Sequence, residues 1–269
     1  MSATVMARLR PVRMGSMSVD SERRPDGTLL LRARGELPSY PRTIIDKLRH
    51  WAEAAPDRIF LADRGPDGEW RTVTYRQTLD RVRSLAQALL AYDLSADRPI
   101  AVLSGNSIEH GLIALAAMMI GVPVAPVSPA YSLVSKDHAK LKYIFDLVTP
   151  GMIFVAEGAP FEAALRDVMK PGMPLVSVRN FVPGFDTIDF ADLLATTPTD
   201  AVEAADARVG PDTVAKFLFT SGSTGMPKAV INTQRMLCCN QVMILGALAF
   251  FGDEPPVIVD WLPWNHTAG

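Results

Sequence analysis

A group of hydroxyl, glycine and lysine residues follows an apolar segment near residue 219. Its members within nine positions are Thr220, Ser221, Gly222, Ser223, Thr224, Gly225 and Lys228. Hydroxyl donors, backbone N–H groups that glycine lets a ligand approach, and one cation together suit a polyphosphate. Apolar segments at 217–219 and 229–231 flank the group, so we expect it at the end of a strand rather than in a disordered tail. The pattern predicts a loop that binds nucleotide phosphates.

The spacing of this loop excludes three common active-site loops. A Walker A loop requires Gly-Lys followed by Ser or Thr, whereas Gly225 stands three residues before Lys228. A Rossmann fingerprint requires glycines two residues apart, and the sequence has no such pair. The Gly-x-Ser-x-Gly elbow of hydrolases is also missing. A Ser/Gly-rich surface turn stays open as the alternative, although the lysine and the flanking apolar segments favour a binding loop.

A second motif stands at the end of the sequence, where Pro263, His266 and Gly269 have the spacing Pro-x-x-His-x-x-Gly. With the segment 219–228, it makes the chain resemble the adenylate-forming enzymes, which carry an AMP-binding signature and include acyl- and aryl-CoA synthetases. Two further segments resemble motifs of that family, 72–75 and 121–129. The segments most similar to feruloyl-CoA synthetases are 105–110, 126–132 and 260–267. The resemblance extends from residue 18 to the last residue.

The resemblance implies a role for each motif. Lys228 would supply charge to the β- and γ-phosphates and to the leaving pyrophosphate. His266 would lie where the substrate carboxylate meets the α-phosphate, and would orient or close that site. Trp261 and Trp264 would shape a pocket for a planar aryl acid. The alternatives are ordinary structural roles: a solvated lysine, a packed loop histidine and two core tryptophans.

The implied function is the ATP-dependent activation of an aromatic, ferulate-like carboxylate. A carboxylate oxygen attacks the α-phosphate of ATP to give an acyl-adenylate and pyrophosphate, and the thiolate of coenzyme A then displaces AMP to form a thioester. The resemblance therefore implies ATP, Mg²⁺ that enters with the ATP, and coenzyme A as co-substrate of an acid–thiol ligase. Most family members carry glycine after the lysine, whereas Ala229 stands here, so we expect altered mobility of the loop.

Composition and charge fit a cytoplasmic enzyme, and the resemblance implies that its partner is a small-molecule aromatic carboxylic acid. A net charge of −2 over 269 residues gives no electrostatic argument for nucleic acid or for an anionic membrane. The two cysteines are adjacent and cannot form a disulfide framework, and the four histidines are too far apart to predict a metal site. Prolines interrupt the uncharged stretch 111–135, which argues against a membrane span.

The elements that must position these residues alternate between strands and helices. Turn residues at 25–27 and 65–68 predict two hairpins. Thr74 and Ser107 are predicted to cap the helices that follow them. Apolar strand and helix patterns then alternate from residue 100 to residue 178. This alternation predicts an α/β fold with parallel sheets flanked by helices, and the resemblance implies part of the N-terminal domain of the adenylate-forming fold.

The extent of the sequence leads to a second expectation, because it ends at Gly269, the last residue of the second motif. Family members continue with adenine- and ribose-binding motifs and with a small C-terminal domain that carries a catalytic lysine. The expected organisation is a flexible basic segment at 1–17, an incomplete N-terminal AMP-binding domain at 18–269 and no C-terminal domain. We expect such a chain to bind ATP weakly and to turn over negligibly. The alternative function is a non-catalytic remnant of such an enzyme.

Overall fold

The computed structural model describes residues 11–16, 18–221 and 225–266. These residues form two compact units. The first contains the described residues of Met1–Tyr40 with Leu237–Val259, and the second contains those of Pro41–Met236 with Asp260–Gly269. The predicted division between 1–17 and 18–269 stays a prediction, since residue 17 lies outside the described ranges.

Strands and helices alternate along the chain, as the sequence pattern predicts. The strands are β1 (Val19–Arg23), β2 (Leu29–Ala33), β3 (Ile59–Arg64), β4 (Trp70–Thr74), β5 (Ile100–Val102), β6 (Val124–Pro126), β7 (Met152–Glu157), β8 (Leu175–Arg179), β9 (Thr187–Asp189), β10 (Val214–Ser221) and β11 (Pro227–Thr233). The α-helices are α1 (Ile44–Ala54), α2 (Tyr75–Leu89), α3 (Ile108–Met119), α4 (Ala130–Leu133), α5 (Ala139–Val148), α6 (Glu162–Val168), α7 (Phe190–Leu194), α8 (Asp200–Asp206) and α9 (Gln234–Ala247). Short 3₁₀ turns lie at Ala159–Phe161 and Ala249–Gly252.

The first unit is built on the hairpin of β1 and β2. The two strands pair antiparallel, and Gly27 in their turn has a φ of +87°. Only glycine adopts such a φ without strain, which explains the turn residue. In the same unit the guanidinium of Arg13 donates to the carboxylate of Asp253 at 3.0 Å. The hairpin predicted from the turn at 25–27 is therefore confirmed.

A seven-stranded sheet forms the centre of the second unit, in the order β11-β10-β6-β5-β7-β8-β9. Neighbouring strands are parallel except β10 and β11, which are antiparallel. All three residues of β5 and all three of β6 are buried, as expected for parallel strands covered on both faces. The predicted α/β class is confirmed. The antiparallel pair at one edge follows from the short loop after β10, because a short connection can only return antiparallel.

A hydrophobic cluster holds β10 against the centre of the unit. The cluster joins residues of β5, β6 and β7 to residues of α5 and α6, and Phe217 and Phe219 of β10 pack against it. Because side chains alternate along a strand, Lys216, Leu218 and Thr220 face the opposite side of the sheet. The end of β10 is thus anchored from one face of the sheet, while Lys216, Leu218 and Thr220 lie on the other face.

Side-chain caps begin two helices where the sequence predicts them. Thr74 accepts a hydrogen bond from the N–H of Gln77, whose side chain accepts one from the N–H of Thr74, which makes a capping box at the start of α2. Ser107 accepts from the N–H of His110 at 3.0 Å and begins α3. Within the ranges that the structure describes, no helix combines the length and the apolar character needed to cross a membrane.

Candidate functional site

The predicted phosphate loop is the turn of the hairpin formed by β10 and β11. Thr220 pairs with Lys228 and Ser221 pairs with Pro227, so the two strands are in register up to the loop. Gly222, Ser223 and Thr224 lie outside the described residues, and their predicted contacts to phosphate stay predictions. The structure therefore places the two ends of the predicted loop side by side.

Lys228 and Thr220 occupy one face at the base of this loop. Directly opposite residues of an antiparallel pair project to the same side of the ribbon, so the amine and the hydroxyl lie on the side away from Phe219. Lys228 is exposed and Thr220 is half-buried. A cation and a hydroxyl donor are thereby available on one face, as binding of a polyphosphate requires.

Gly225 has a conformation that explains why glycine stands there. Its φ is +84°, and a Cβ built at this position would meet no atom of the described residues within 4 Å. The backbone rather than a crowded neighbour therefore favours glycine at this end of the loop. This agrees with the predicted use of glycine to give the loop its shape, while contact of its N–H with a phosphate stays a prediction.

Lys216 is a charged residue near the start of β10 that the sequence analysis did not single out. It is half-buried on the same face of the strand as Thr220, and burial lowers the pKa of its amine. Among the described residues, no carboxylate lies within ion-pair distance of Lys216. The available signal was a lone lysine inside the otherwise apolar run Val214–Phe219.

His266 lies on a short turn at the end of the described chain. Its N–H donates to the carbonyl oxygen of Pro263 at 2.9 Å, and its side chain is exposed. The histidine is thus carried by the turn that begins at the first residue of the Pro-x-x-His motif. Its predicted place beside the α-phosphate stays a prediction.

The two predicted pocket tryptophans differ in their surroundings. Trp264 is half-buried, and its indole Nε1 donates to the carboxylate of Asp260 at 2.9 Å. Its ring meets that of His110 edge to face, with the ring centroids 5.2 Å apart. Trp261 is 82 % exposed. The structure therefore brings Trp264 against α3 and leaves Trp261 in solvent, and a role of either in binding an acid stays a prediction.

His110 is a buried neutral side chain that the sequence analysis did not predict at the site. Burial lowers its pKa to about 4, a hydrogen bond with the carbonyl oxygen of Gly105 opposes the change, and the positive charge of Lys216 adds to it. The Nδ1 atom lies 3.1 Å from that oxygen, which can only accept, so the neutral ring carries its proton on Nδ1. The pKa of His110 thus responds to the charge of Lys216, and the ring of His110 contacts that of Trp264.

The described side chains offer no ready-made metal centre. No three His, Cys, Asp or Glu side chains among them come together in a way that could hold an ion. The cationic and hydroxyl side chains at the loop suit anions instead. The side chains of Thr220 and Lys228 can bind an anionic ligand at the end of β10. The turn that carries His266 follows a segment that packs against the start of α3.

Comparison with known proteins identifies the group to which this arrangement belongs. A family model described as AMP-binding enzyme matches residues 48–269. A ligase of Rhodococcus jostii, named 3-[(3aS,4S,7aS)-7a-methyl-1,5-dioxo-octahydro-1H-inden-4-yl]propanoyl:CoA ligase, is 34 % identical over 63 % of this chain and 34 % of its own length. A salicylyl-CoA synthase / salicylate adenylyltransferase of Streptomyces is 30 % identical over 69 % of this chain and 33 % of its own length. The chain spans about a third of the length of these curated relatives.

Two solved structures with the same fold share less than 25 % identity with this chain, so they are evidence for the fold alone. VinN in complex with L-aspartate matches with a TM-score of 0.59 and 21 % identity over 78 % of this chain and 49 % of that chain. A fatty acyl-adenylate ligase of L. pneumophila, in complex with acyl adenylate and pyrophosphate, matches with a TM-score of 0.54 and 18 % identity over 76 % of this chain and 32 % of that chain. The sheet and helices are those of the N-terminal domain of adenylate-forming enzymes. Because the family model covers most of its length, the chain belongs to the AMP-binding enzyme family.

Proposed function

We propose that the protein takes part in the ATP-dependent activation of an aromatic carboxylic acid, and that the loop between β10 and β11 holds the phosphates of ATP. The observation that carries the proposal is the hairpin register, which sets Lys228 opposite Thr220 at the base of the loop. Charge-assisted hydrogen bonds to phosphate oxygens are stronger than those between neutral groups. Membership of the AMP-binding enzyme family supports this use of the loop.

The proposed reaction has two balanced steps. In the first, a carboxylate oxygen attacks the α-phosphorus of ATP, and the bond to pyrophosphate breaks. In the second, the thiolate of coenzyme A attacks the acyl carbon, and AMP leaves with the electron pair. Proteins accelerate such phosphoryl chemistry mainly by positioning and by neutralising charge. We assign to Lys228 the role of neutralising the negative charge on the leaving pyrophosphate. Mg²⁺ enters as part of the nucleotide.

His266 is the side chain that we assign to the meeting point of carboxylate and α-phosphate. An imidazole N–H can donate to an oxygen on which negative charge develops. Support comes from the exposed position of His266 on the turn after Pro263. A cytoplasmic location, where ATP and coenzyme A are supplied, belongs to the same proposal.

The proposed acid is planar and aromatic, of the ferulate type. The segments 105–110, 126–132 and 260–267 are those that resemble feruloyl-CoA synthetases. Two relatives bear names of the same substrate class, the salicylyl-CoA synthase of Streptomyces and a 4-coumarate--CoA ligase-like protein of Arabidopsis thaliana. The half-buried ring of Trp264 offers an apolar surface to a flat acid.

Binding of ATP to the 269-residue chain tests the role of the loop. Lys228→Ala removes the cation, and Lys47→Ala is a matched control because Lys47 is also an exposed lysine, on α1. Calorimetry with MgATP is expected to show affinity about tenfold lower for Lys228→Ala, the value of one charged hydrogen bond, and unchanged affinity for Lys47→Ala. Equal affinities of all three proteins would refute the assignment of the loop.

Pyrophosphate exchange tests the acid and the activity of the chain. Ferulate, 4-coumarate, salicylate and a long-chain fatty acid are compared, and we expect exchange with the planar acids in a protein extended by the downstream coding sequence. A preference for the fatty acid contradicts the proposed substrate class. For the 269-residue chain alone we expect negligible exchange, and clear exchange contradicts that expectation. The alternative, a non-catalytic remnant, predicts no in-frame adenine motif beyond residue 269.

A further inference from the structure

Asn106 connects the loop before α3 to the segment that carries the second motif. Its Nδ2 donates to the carbonyl oxygen of Leu262 at 2.8 Å, and its Oδ1 accepts from the N–H of Trp264 at 2.9 Å. Only this orientation of the amide satisfies both partners, since a carbonyl accepts and an N–H donates. The two partners flank Pro263. A single side chain therefore holds the backbone on both sides of the first residue of the motif.

The loop that carries Asn106 is itself held at the start of α3. Ser107 caps the helix, and the carboxylate of Asp63 accepts from the N–H of the first residue of α3 at 3.0 Å. Arg71 joins this carboxylate to that of Glu109, with nitrogen–oxygen distances of 2.7 Å to each. Glu109 is 9 % exposed. Asp63 and Arg71, on the hairpin of β3 and β4, thus fix the start of α3, which directly follows Asn106 and Ser107 in the chain.

Trp264 provides a second, apolar attachment of the same segment. Its ring contacts His110, and a Cβ placed on Gly111 would come within 3.5 Å of the ring. The indole is also tied to Asp260 by its N–H. Hydrogen bonds from Asn106 and ring packing on α3 therefore act on one short stretch of backbone. The turn from Pro263 to His266 begins within that stretch.

We propose that Asn106 is a positioning residue that sets the place of the turn carrying His266. The proposal rests on the proposed function for its catalytic consequence, because His266 is the residue assigned to the reacting atoms. Its structural content, the attachment of 262–264 to the start of α3, is independent of that function. Misplacement of a reacting group by about 1 Å can lower a rate by about 100-fold.

Asn106→Ala and Ser107→Ala, compared in the full 269-residue chain, separate positioning from general destabilisation. Asn106→Ala removes both hydrogen bonds to the motif, whereas Ser107→Ala weakens the start of α3 and leaves those bonds in place. Hydrogen exchange followed by NMR is expected to become at least about tenfold faster at the N–H of Trp264 in Asn106→Ala only. The imidazole Hε1 signal of His266 is expected to move in the same variant and to keep its place in Ser107→Ala.

Each outcome decides the proposal. Unchanged exchange at Trp264, or an unmoved His266 signal, in Asn106→Ala overturns it. Where pyrophosphate exchange is measurable, Asn106→Ala is expected to lower kcat about tenfold more than Ser107→Ala does while the KM for ATP stays the same, and equal kcat values overturn the role. Absence of pyrophosphate exchange in the unsubstituted protein extended by the downstream coding sequence counts against the proposed function, and the NMR measurements on the 269-residue chain then decide the positioning role by themselves.

Discussion

His110 makes the stability of the second unit depend on pH in a defined direction. The folded protein keeps this ring neutral down to a pKa of about 4, whereas an exposed histidine in the unfolded chain binds a proton near pH 6.5. Between these two values the unfolded state binds more protons, so the free energy of unfolding falls as the pH falls from 6.5 to 4. The contribution is fully present above pH 6.5 and is lost below the folded pKa.

The magnitude follows from the burial of the ring. His110 is 3 % exposed, so solvent does not screen its environment. Each pH unit crossed between the two pKa values lowers the free energy of unfolding by about 1.4 kcal/mol. Complete protonation therefore costs about 3 kcal/mol, and about 2 kcal/mol is already lost at about pH 4.5. This is a large part of the stability of an ordinary domain, which is about 5–15 kcal/mol.

Urea unfolding at about pH 7 and about pH 4.5 measures this contribution when His110→Asn is the reference. Asparagine retains an N–H for the carbonyl oxygen of Gly105 and does not titrate. Between these two pH values, the free energy of unfolding is expected to fall by about 2 kcal/mol more in the native protein than in His110→Asn. The carboxylates that titrate in acid are common to both proteins, so their effect cancels in this comparison. His50→Asn changes an exposed histidine on α1 and controls for the substitution itself. Equal losses in the native protein and His110→Asn would refute the reasoning.

Three further substitutions have expected outcomes in the same unfolding and NMR measurements. Gly225→Ala is expected to lower the free energy of unfolding by about 1–2 kcal/mol because of its positive φ, whereas Gly105→Ala, with equally open space around the new Cβ and no positive φ, should change it far less. Arg71→Ala leaves the carboxylates of Asp63 and Glu109 without their cation, so the free energy of unfolding is expected to fall by about 1–3 kcal/mol. Arg71→Lys should restore part of this loss, and an unchanged free energy of unfolding in Arg71→Ala would contradict the stabilising role of the two ion pairs. Lys216→Met removes a positive charge near His110 and is expected to raise the pKa of His110 in an imidazole titration, and an unchanged pKa would contradict their proximity.

Local signals in the sequence predicted local structure well. Thr74 and Ser107 cap helices in the structure as their residue types and positions indicate, because an N-cap depends on atoms within three residues. The turn at 25–27 and the apolar segments around the phosphate loop are similarly short-range features. The α/β class follows from many such signals together.

Contacts between distant segments could not be predicted in this way. Nothing in the sequence pairs Asn106 with Trp264, which lie far apart in the chain, and a polar loop residue has many possible partners. The pKa of His110 depends on burial by the folded chain and on the charge of Lys216, whose position is set when β10 pairs with β6. The exposure of Trp261 could not be predicted either, because an aromatic residue near a motif can line a pocket or lie on the surface.

The strand order of the sheet has a consequence for how the chain folds. The chain between β5 and β6, between β5 and β7, and between β7 and β8 is in each case shorter than the chain between β6 and β10, whose pairing joins Val124 to Lys216. Closing longer loops costs more entropy and slows the pairing of distant segments. We therefore expect the sheet to grow from β5–β8 and the β10–β11 hairpin to dock last. In pulse-labelled refolding, amides of β7 should gain protection before those of β10, and the opposite order would contradict this sequence of events.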